Sequence, residues 1–230
     1  MLLRHSLFVL FMTVSIPAFA DESTATRADL DAFLTEWSKH SGELETLEIH
    51  FRQEKRLKLL RKPLVSTGTV RLAGGKLECV VRDKSGNTDS VLFVEKNSMR
   101  IHYPRLKRLE IYDLASTGAP AMAFPIFGSD PDKLERDYKL ELTGEGKQRK
   151  LKLTPRDKNT PVGTMTLVFK DLEIQEVEQT DRRGDRVRMI IERFDRNAKI
   201  DASALKLEVP PGTKTERPLA GKAGRERRDG

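Results

Sequence analysis

Beyond residues 1–20, the side chains best suited to chemistry at neutral pH are three histidines, His40, His50 and His102, and one cysteine, Cys79. They are scattered. No two histidines stand at i and i+4, and none stands beside the cysteine, so no zinc-type site is legible. Cys79 sits in the strand-like run 77–81 with no flanking histidine to generate a thiolate, and reads as a small buried apolar group. Being single, it can form no internal disulfide. The sequence has no Gly-x-Ser-x-Gly elbow. Gly144-Glu145-Gly146 reads as a hairpin tip, not a loop that cradles phosphate. Carboxylates are abundant, but no pair stands out in an apolar setting of the kind that tunes an acid and a base apart. The expectation is no catalysis, no metal and no cofactor, which leaves binding.

Residues 1–20 read as an export signal. Arg4 and His5 give a weakly basic start, 7–16 is apolar and too short to span a bilayer, and Ala18-Phe19-Ala20 fits the small-x-small cleavage rule. The mature chain then starts at Asp21, with no cysteine after the cut to carry a lipid anchor. The expected product is exported, soluble and monomeric.

The formal charge is +7. Export argues against nucleic acid as the partner and favours anionic lipid headgroups or acidic protein surfaces. Three basic runs stand out: Lys55-Arg56-Leu57-Lys58 with Arg61-Lys62, Arg105-Leu106-Lys107-Arg108, and Lys147-Gln148-Arg149-Lys150. Each has a plainer reading as a solvated strand face or as protection of an edge strand.

The elements that must position any site are mostly strands. The clearest helix is 28–39, where Leu30, Phe33, Leu34 and Trp37 form one stripe at i, i+3, i+4 and i+7. Strands follow at 44–60, 65–72, 77–82, 90–94, 99–103 and 108–114, with turn residues recurring every ten to twelve positions. Residues 117–128 break the pattern: the stretch is apolar on all sides and holds Pro120 and Pro125. Asp130-Pro131 opens a short helix, and strands resume at 138–143 and 150–154. The closing section has strand-like runs at 166–169 and 173–179, a hairpin turn at Asp181-Arg182-Arg183-Gly184, a returning strand at 186–194 and a short strand at 205–209. Three regions result: a signal peptide 1–20, one domain 21–213, and a basic disordered tail 214–230.

A sheet with a long apolar face, a helix at its start and a proline-bent apolar segment suggests a concave sheet covered by helices, an enclosure for an apolar ligand. A second reading has Met122, Phe124, Ile126 and Phe127 plugging a closed core. Both stay open on physical grounds.

The order of motifs resembles the periplasmic outer-membrane lipoprotein carrier family LolA. It includes Phe51-x-Gln53, Gly68, Met99 to Tyr103 with Pro104, Leu153-Thr154-Pro155, the Asp181 to Gly184 turn, Phe194, Asn197 and Pro210-Pro211-Gly212. The resemblance covers 29–212 and implies a mainly β fold: a strongly curved, unclosed antiparallel half-barrel under a helical lid. It implies binding of the acyl chains of lipoproteins, received from an inner-membrane ABC lipoprotein-releasing transporter and passed to an outer-membrane acceptor. Where the family carries Arg-Pro and a tryptophan, this chain has Arg71 and neither of the others. Arg71 is the nearest candidate for the arginine that, in the family, holds the lid to the sheet. That departure admits two alternatives: another lipid as cargo, or sensing of lipoproteins on behalf of an anti-sigma factor, as in RseB-like relatives. On this reading Met122, Phe124, Ile126 and Phe127 close the cavity, and Ile49, Phe51, Phe93, Ile101 and Met189 line it from the sheet.

Overall fold

The computed structural model describes residues 24–114, 130–158 and 162–218. The export signal, the segment with Met122, Phe124, Ile126 and Phe127, and the tail from 219 onward lie outside the described residues.

Helix α1 runs over Arg27–Gly42. Thr26 caps it: its hydroxyl accepts the Asp29 backbone N–H, and the Asp29 carboxylate accepts the Thr26 backbone N–H in return. The helix runs past the expected 28–39, with Gly42 as its last residue. The apolar stripe is intact, and Leu30, Phe33, Leu34 and Trp37 are all buried.

Six strands follow: β1 (Thr46–Arg56), β2 (Leu64–Ala73), β3 (Lys76–Asp83), β4 (Thr88–Glu95), β5 (Ser98–Tyr103) and β6 (Arg108–Asp113), the last two joined by a 3₁₀ turn at Pro104–Leu106. Helix α2 (Pro131–Asp137) opens at Asp130, whose side chain accepts the Asp132 backbone N–H. Then come β7 (Tyr138–Thr143), β8 (Gln148–Pro155), β9 (Val162–Lys170), β10 (Glu173–Asp181), β11 (Arg186–Arg196) and β12 (Lys214–Glu216).

These twelve strands form one sheet in the order β12-β6-β5-β4-β3-β2-β1-β11-β10-β9-β8-β7. It is mainly a meander of antiparallel hairpins, curved and not closed. The meander is broken where β11 returns to pair with β1 and where β12 joins β6 in parallel. One hairpin shows how the local chemistry works. At the β10–β11 turn, the Asp181 carboxylate accepts the backbone N–H groups of Arg183 and Asp185 at 2.9 and 2.8 Å, and Gly184 takes φ +86°.

The register assigns each residue to a face. The inner face carries α1 and, across β1 to β5, Leu47, Leu72, Leu77, Val94 and Met99 in one row and Ile49, Val70, Cys79, Leu92 and Ile101 in the next. The outer face carries the parallel row Glu48, Arg71, Glu78, Phe93 and Arg100.

The chain after β11 differs from expectation. The stretch 205–209 is not a strand. Residues 197–213 instead form a strap across the outer face, from β11 to the far margin of the sheet. Leu205 is buried there against Ala73 and Phe93, with Ile200, Ala202 and Leu207 around it. The strap is pinned by the Lys76 ammonium, which donates to the Ala202 carbonyl at 3.1 Å, and by the Thr46 hydroxyl, which donates to the Ala198 carbonyl at 2.5 Å. It ends in β12, so Lys214, Thr215 and Glu216 belong to the sheet.

Candidate functional site: an apolar inner face

Helix α1 roofs one half of the inner face. Its stripe packs on Tyr138, Leu142, Leu151, Leu153, Met165, Leu167, Phe169, Ile174 and Val177 from β7 to β10. The Phe169 ring meets Phe33 and Trp37 edge-on, with centroids 5.0 and 5.2 Å apart. This half is a closed core.

The other half, from β11 and β1 to β6, has a second cluster. Leu47, Ile49, Phe51, Val70, Leu77, Val94 and Met99 are buried at its floor. Around them Leu72, Cys79, Val81, Leu92, Ile101, Ile191 and Phe194 are only partly buried. Met189 packs against both clusters and so marks their boundary.

Toward β6 the apolar floor gives way to a polar group. Tyr112 donates its hydroxyl proton to the Glu110 carboxylate at 2.9 Å, and the Arg108 guanidinium lies 3.3 Å from Glu110 and over the Tyr103 ring. Burial, helped by Glu110, pushes the Tyr112 hydroxyl up to about 12. Burial likewise pushes the Cys79 thiol up to about 12, so it is held as an unreactive thiol.

The six sheet residues expected around the cavity divide by face. Ile49, Phe51, Ile101 and Met189 share the inner face, the first two buried and the others partly exposed. Phe93 and Arg71 are on the outer face. Phe93 is 1% exposed, beneath the strap. Arg71 pairs with the buried Glu78, its Nε donating at 3.0 Å, and faces away from anything over the inner face. The cause is the strict alternation of β-strands: Phe93 and Arg71 both stand directly opposite Glu78. Leu47, Val70, Leu77, Cys79, Leu92 and Met99 belong to the inner face as well. Counting by twos from Ile49 through each hairpin register finds them.

The histidines stay apart. His40 receives the Arg196 guanidinium at 2.7 Å, His50 contacts Glu48 at 2.8 Å, and His102 is buried on the outer face. Among the described residues no three His, Cys, Asp or Glu side chains are placed to hold a metal ion. No described helix is long and apolar enough to cross a membrane. A charged cleft lies among Glu54, Arg56, Glu176, Glu178, Arg186 and Arg188 on the outer face. There Arg188 is already occupied by Glu176, at 2.6 and 2.7 Å.

An uncharacterized conserved protein from Thermus thermophilus superposes with a TM-score of 0.51 at 12% identity, over 82% of this chain and 99% of its own. The Pseudomonas aeruginosa MucA/MucB complex gives 0.46 at 17% identity, over 78% of this chain and 61% of that one. A LolA superfamily protein from Nitrosomonas europaea gives 0.43 at 8% identity, over 76% and 97%. No curated protein sequence matches the chain. The family model for the outer membrane lipoprotein carrier protein LolA matches residues 42–208, from before β1 through β11 and into the strap, and the chain belongs to that family.

Proposed function

We propose that the protein is a periplasmic carrier that binds the acyl chains of lipoproteins on the apolar inner face of β11 and β1 to β5. On this reading it takes them from an inner-membrane ABC transporter and delivers them to an outer-membrane acceptor. The observation that carries this is the half of the inner face that no described helix roofs. Helix α1 seals the half over β7 to β10 into a core, while Ile101, Leu92, Cys79, Ile191 and Phe194 are left partly exposed on a continuous apolar floor. Apolar side chains left partly exposed in one connected group are what a ligand, with a movable cover, would complete.

The proposed cover is the segment 119–128. Its neighbours support that place: β6 and β7, which it joins in sequence, stand toward opposite margins of the sheet. Burial of an acyl chain is worth about 0.8 kcal/mol per methylene. A rigid apolar chamber would hold several chains too tightly to release, so a carrier needs a cover that opens. Met122, Phe124, Ile126 and Phe127 are the side chains proposed to close it. Arg71, paired on the other face, leaves the proposed lid contacts.

The test is capture of the mature protein from periplasm, with mass spectrometry of its cargo, beside binding of a fluorescent fatty acid in vitro. The expected result is an acylated species in the first and probe displaced by acylated peptide in the second. Recovery of no acylated species would sink the proposal.

A further inference from the structure

The β1–β2 hairpin ends in an unusual tip. Lys58 to Val65 are eight consecutive exposed residues, and among them Leu59 is 97%, Leu60 45%, Leu64 51% and Val65 42% exposed. From Lys55 to Val65 there are five basic residues, Lys55, Arg56, Lys58, Arg61 and Lys62, and no carboxylate. Among the described residues none of the five takes part in an ion pair. The tip is nonetheless ordered. The Leu60 backbone N–H donates to the Leu57 carbonyl at 2.9 Å, and the Lys58 N–H donates to the Asp185 carboxylate at 2.9 Å.

Neither plain reading accounts for it. Edge protection does not apply, because β1 and β2 lie inside the sheet, flanked by β11 and β3. A solvated polar loop does not apply either, because the tip holds Leu59 almost fully in solvent and Leu60, Leu64 and Val65 beside it.

A second turn repeats the composition at the same end of the sheet. Leu106 is 64% exposed between Arg105 and Lys107. The register puts the two turns at one end: Lys55 pairs with Leu64, Ser66 with Asp83, and Tyr103 with Arg108. Arg105 reaches Asp83, at the start of the intervening turn, at 3.3 Å. Two of the three basic runs thus finish at one end of the molecule, each presenting exposed leucine. The third, around Lys147, turns at the opposite end.

We propose that this end docks on an anionic phospholipid bilayer. Leu59, Leu60 and Leu106 enter the boundary between headgroups and acyl chains, and Lys58, Arg61, Lys62, Arg105 and Lys107 lie at the phosphate level. Apolar side chains collared by cations fit an interface that is apolar below and anionic above. A folded acidic protein would match the charge but not three leucines at two separate turns. The docking does not rest on what the inner face carries.

The experiment uses the mature full-length protein with vesicles of phosphatidylglycerol and phosphatidylethanolamine, and with vesicles of phosphatidylcholine alone. Expected is co-sedimentation with the anionic vesicles only, lost as salt rises from about 0.05 to about 0.5 M. Each basic residue near an anionic leaflet contributes about fivefold to partitioning. The triple change Lys58→Glu, Arg61→Glu, Lys62→Glu should therefore weaken it by more than about a hundredfold. Leu59→Gln should weaken it about tenfold at unchanged net charge. In Leu59→Trp, emission should shift to the blue on anionic vesicles, read against the buried Trp37 of the parent. Equal binding to phosphatidylcholine, indifference to these variants, or no emission shift overturns the proposal. So does binding that appears only when a membrane protein is embedded in the vesicle. All the variants should bind the fatty-acid probe as the parent does. A parent that docks but takes no probe leaves the docking standing and removes the carrier reading.

Discussion

The ring of Phe51 occupies the space where a side chain on Gly68, its direct cross-strand partner, would stand. A Cβ at 68 would lie 2.3 Å from Phe51 Cζ and 2.7 Å from the Val80 carbonyl oxygen. Phe51 is 1% exposed within the cluster of Leu47, Ile49 and Val70, so moving the ring displaces its neighbours. An aromatic laid over a strand glycine covers the backbone the glycine leaves bare and fixes the register of the pair.

Gly68→Ala should therefore destabilise the fold by about 2–3 kcal/mol through overpacking. Phe51→Ala should cost about 3–5 kcal/mol through the cavity it leaves. The double variant should fall short of their sum, because the added methyl no longer meets the ring. Urea unfolding of the four proteins measures this. Strict additivity would show that ring and glycine act independently.

Much of this sheet was legible from the sequence. The stripe Leu30, Phe33, Leu34, Trp37 and the turns at Gly74, Gly86 and Gly184 stand where periodicity and turn chemistry put them. The face of Phe93 was not. Val91-Leu92-Phe93-Val94 is apolar at every position, so alternation carries no information there, and only the register opposite Glu78 decides it. Both faces are apolar because the strap seals the outer one. The strap itself has a strand-like composition at 205–209, yet Leu205 packs as a single plug and makes no ladder. Arg71 differs, because alternation with Val70 and Leu72 already marks it as facing the other way, and only the family resemblance brought it to the lid. A one-residue choice of face flips a side chain from cavity to exterior.

The strap should contribute much of the stability of its half of the sheet. Leu205 is 1% exposed against Ala73 and Phe93. Leu205→Ala should cost about 2–4 kcal/mol and should open 197–213 to limited proteolysis before the sheet unfolds. Intact resistance in the variant would show that the strap is held by its ends alone.

Stability should fall on the acid side in two separate steps. His102 is 4% exposed, and burial holds its imidazole below the ordinary value of 6.5. The unfolded chain then takes up the proton first, so this contribution is full above about pH 6.5 and is lost as pH falls toward the folded value. His102→Leu should flatten that step. Glu141 is held at about 2, chiefly by its hydrogen bonds from Lys152 and Lys139, so its contribution is lost only between about 4.5 and 2. Thermal melting from pH 7 to pH 2 separates the two. An unchanged slope between pH 6.5 and 5 in His102→Leu would show that His102 does not control it.

The two faces make opposite predictions for cargo. Ile101 is partly exposed on the inner face, opposite Leu92 in the β4–β5 ladder. A carboxylate there stands opposite Glu110 on β6 and costs some stability, and it also lies in the path proposed for an acyl chain. Ile101→Asp should abolish fatty-acid binding while the circular dichroism spectrum stays that of the parent and the melting point falls only modestly. Phe93 is one strand away and fully buried, on the other side of the sheet. Phe93→Leu keeps the site apolar and should lower the melting point by loosening the packing on Leu205, with little effect on probe affinity. If Phe93→Leu weakens probe binding and Ile101→Asp does not, the apolar ligand lies beneath the strap, and the inner face is core.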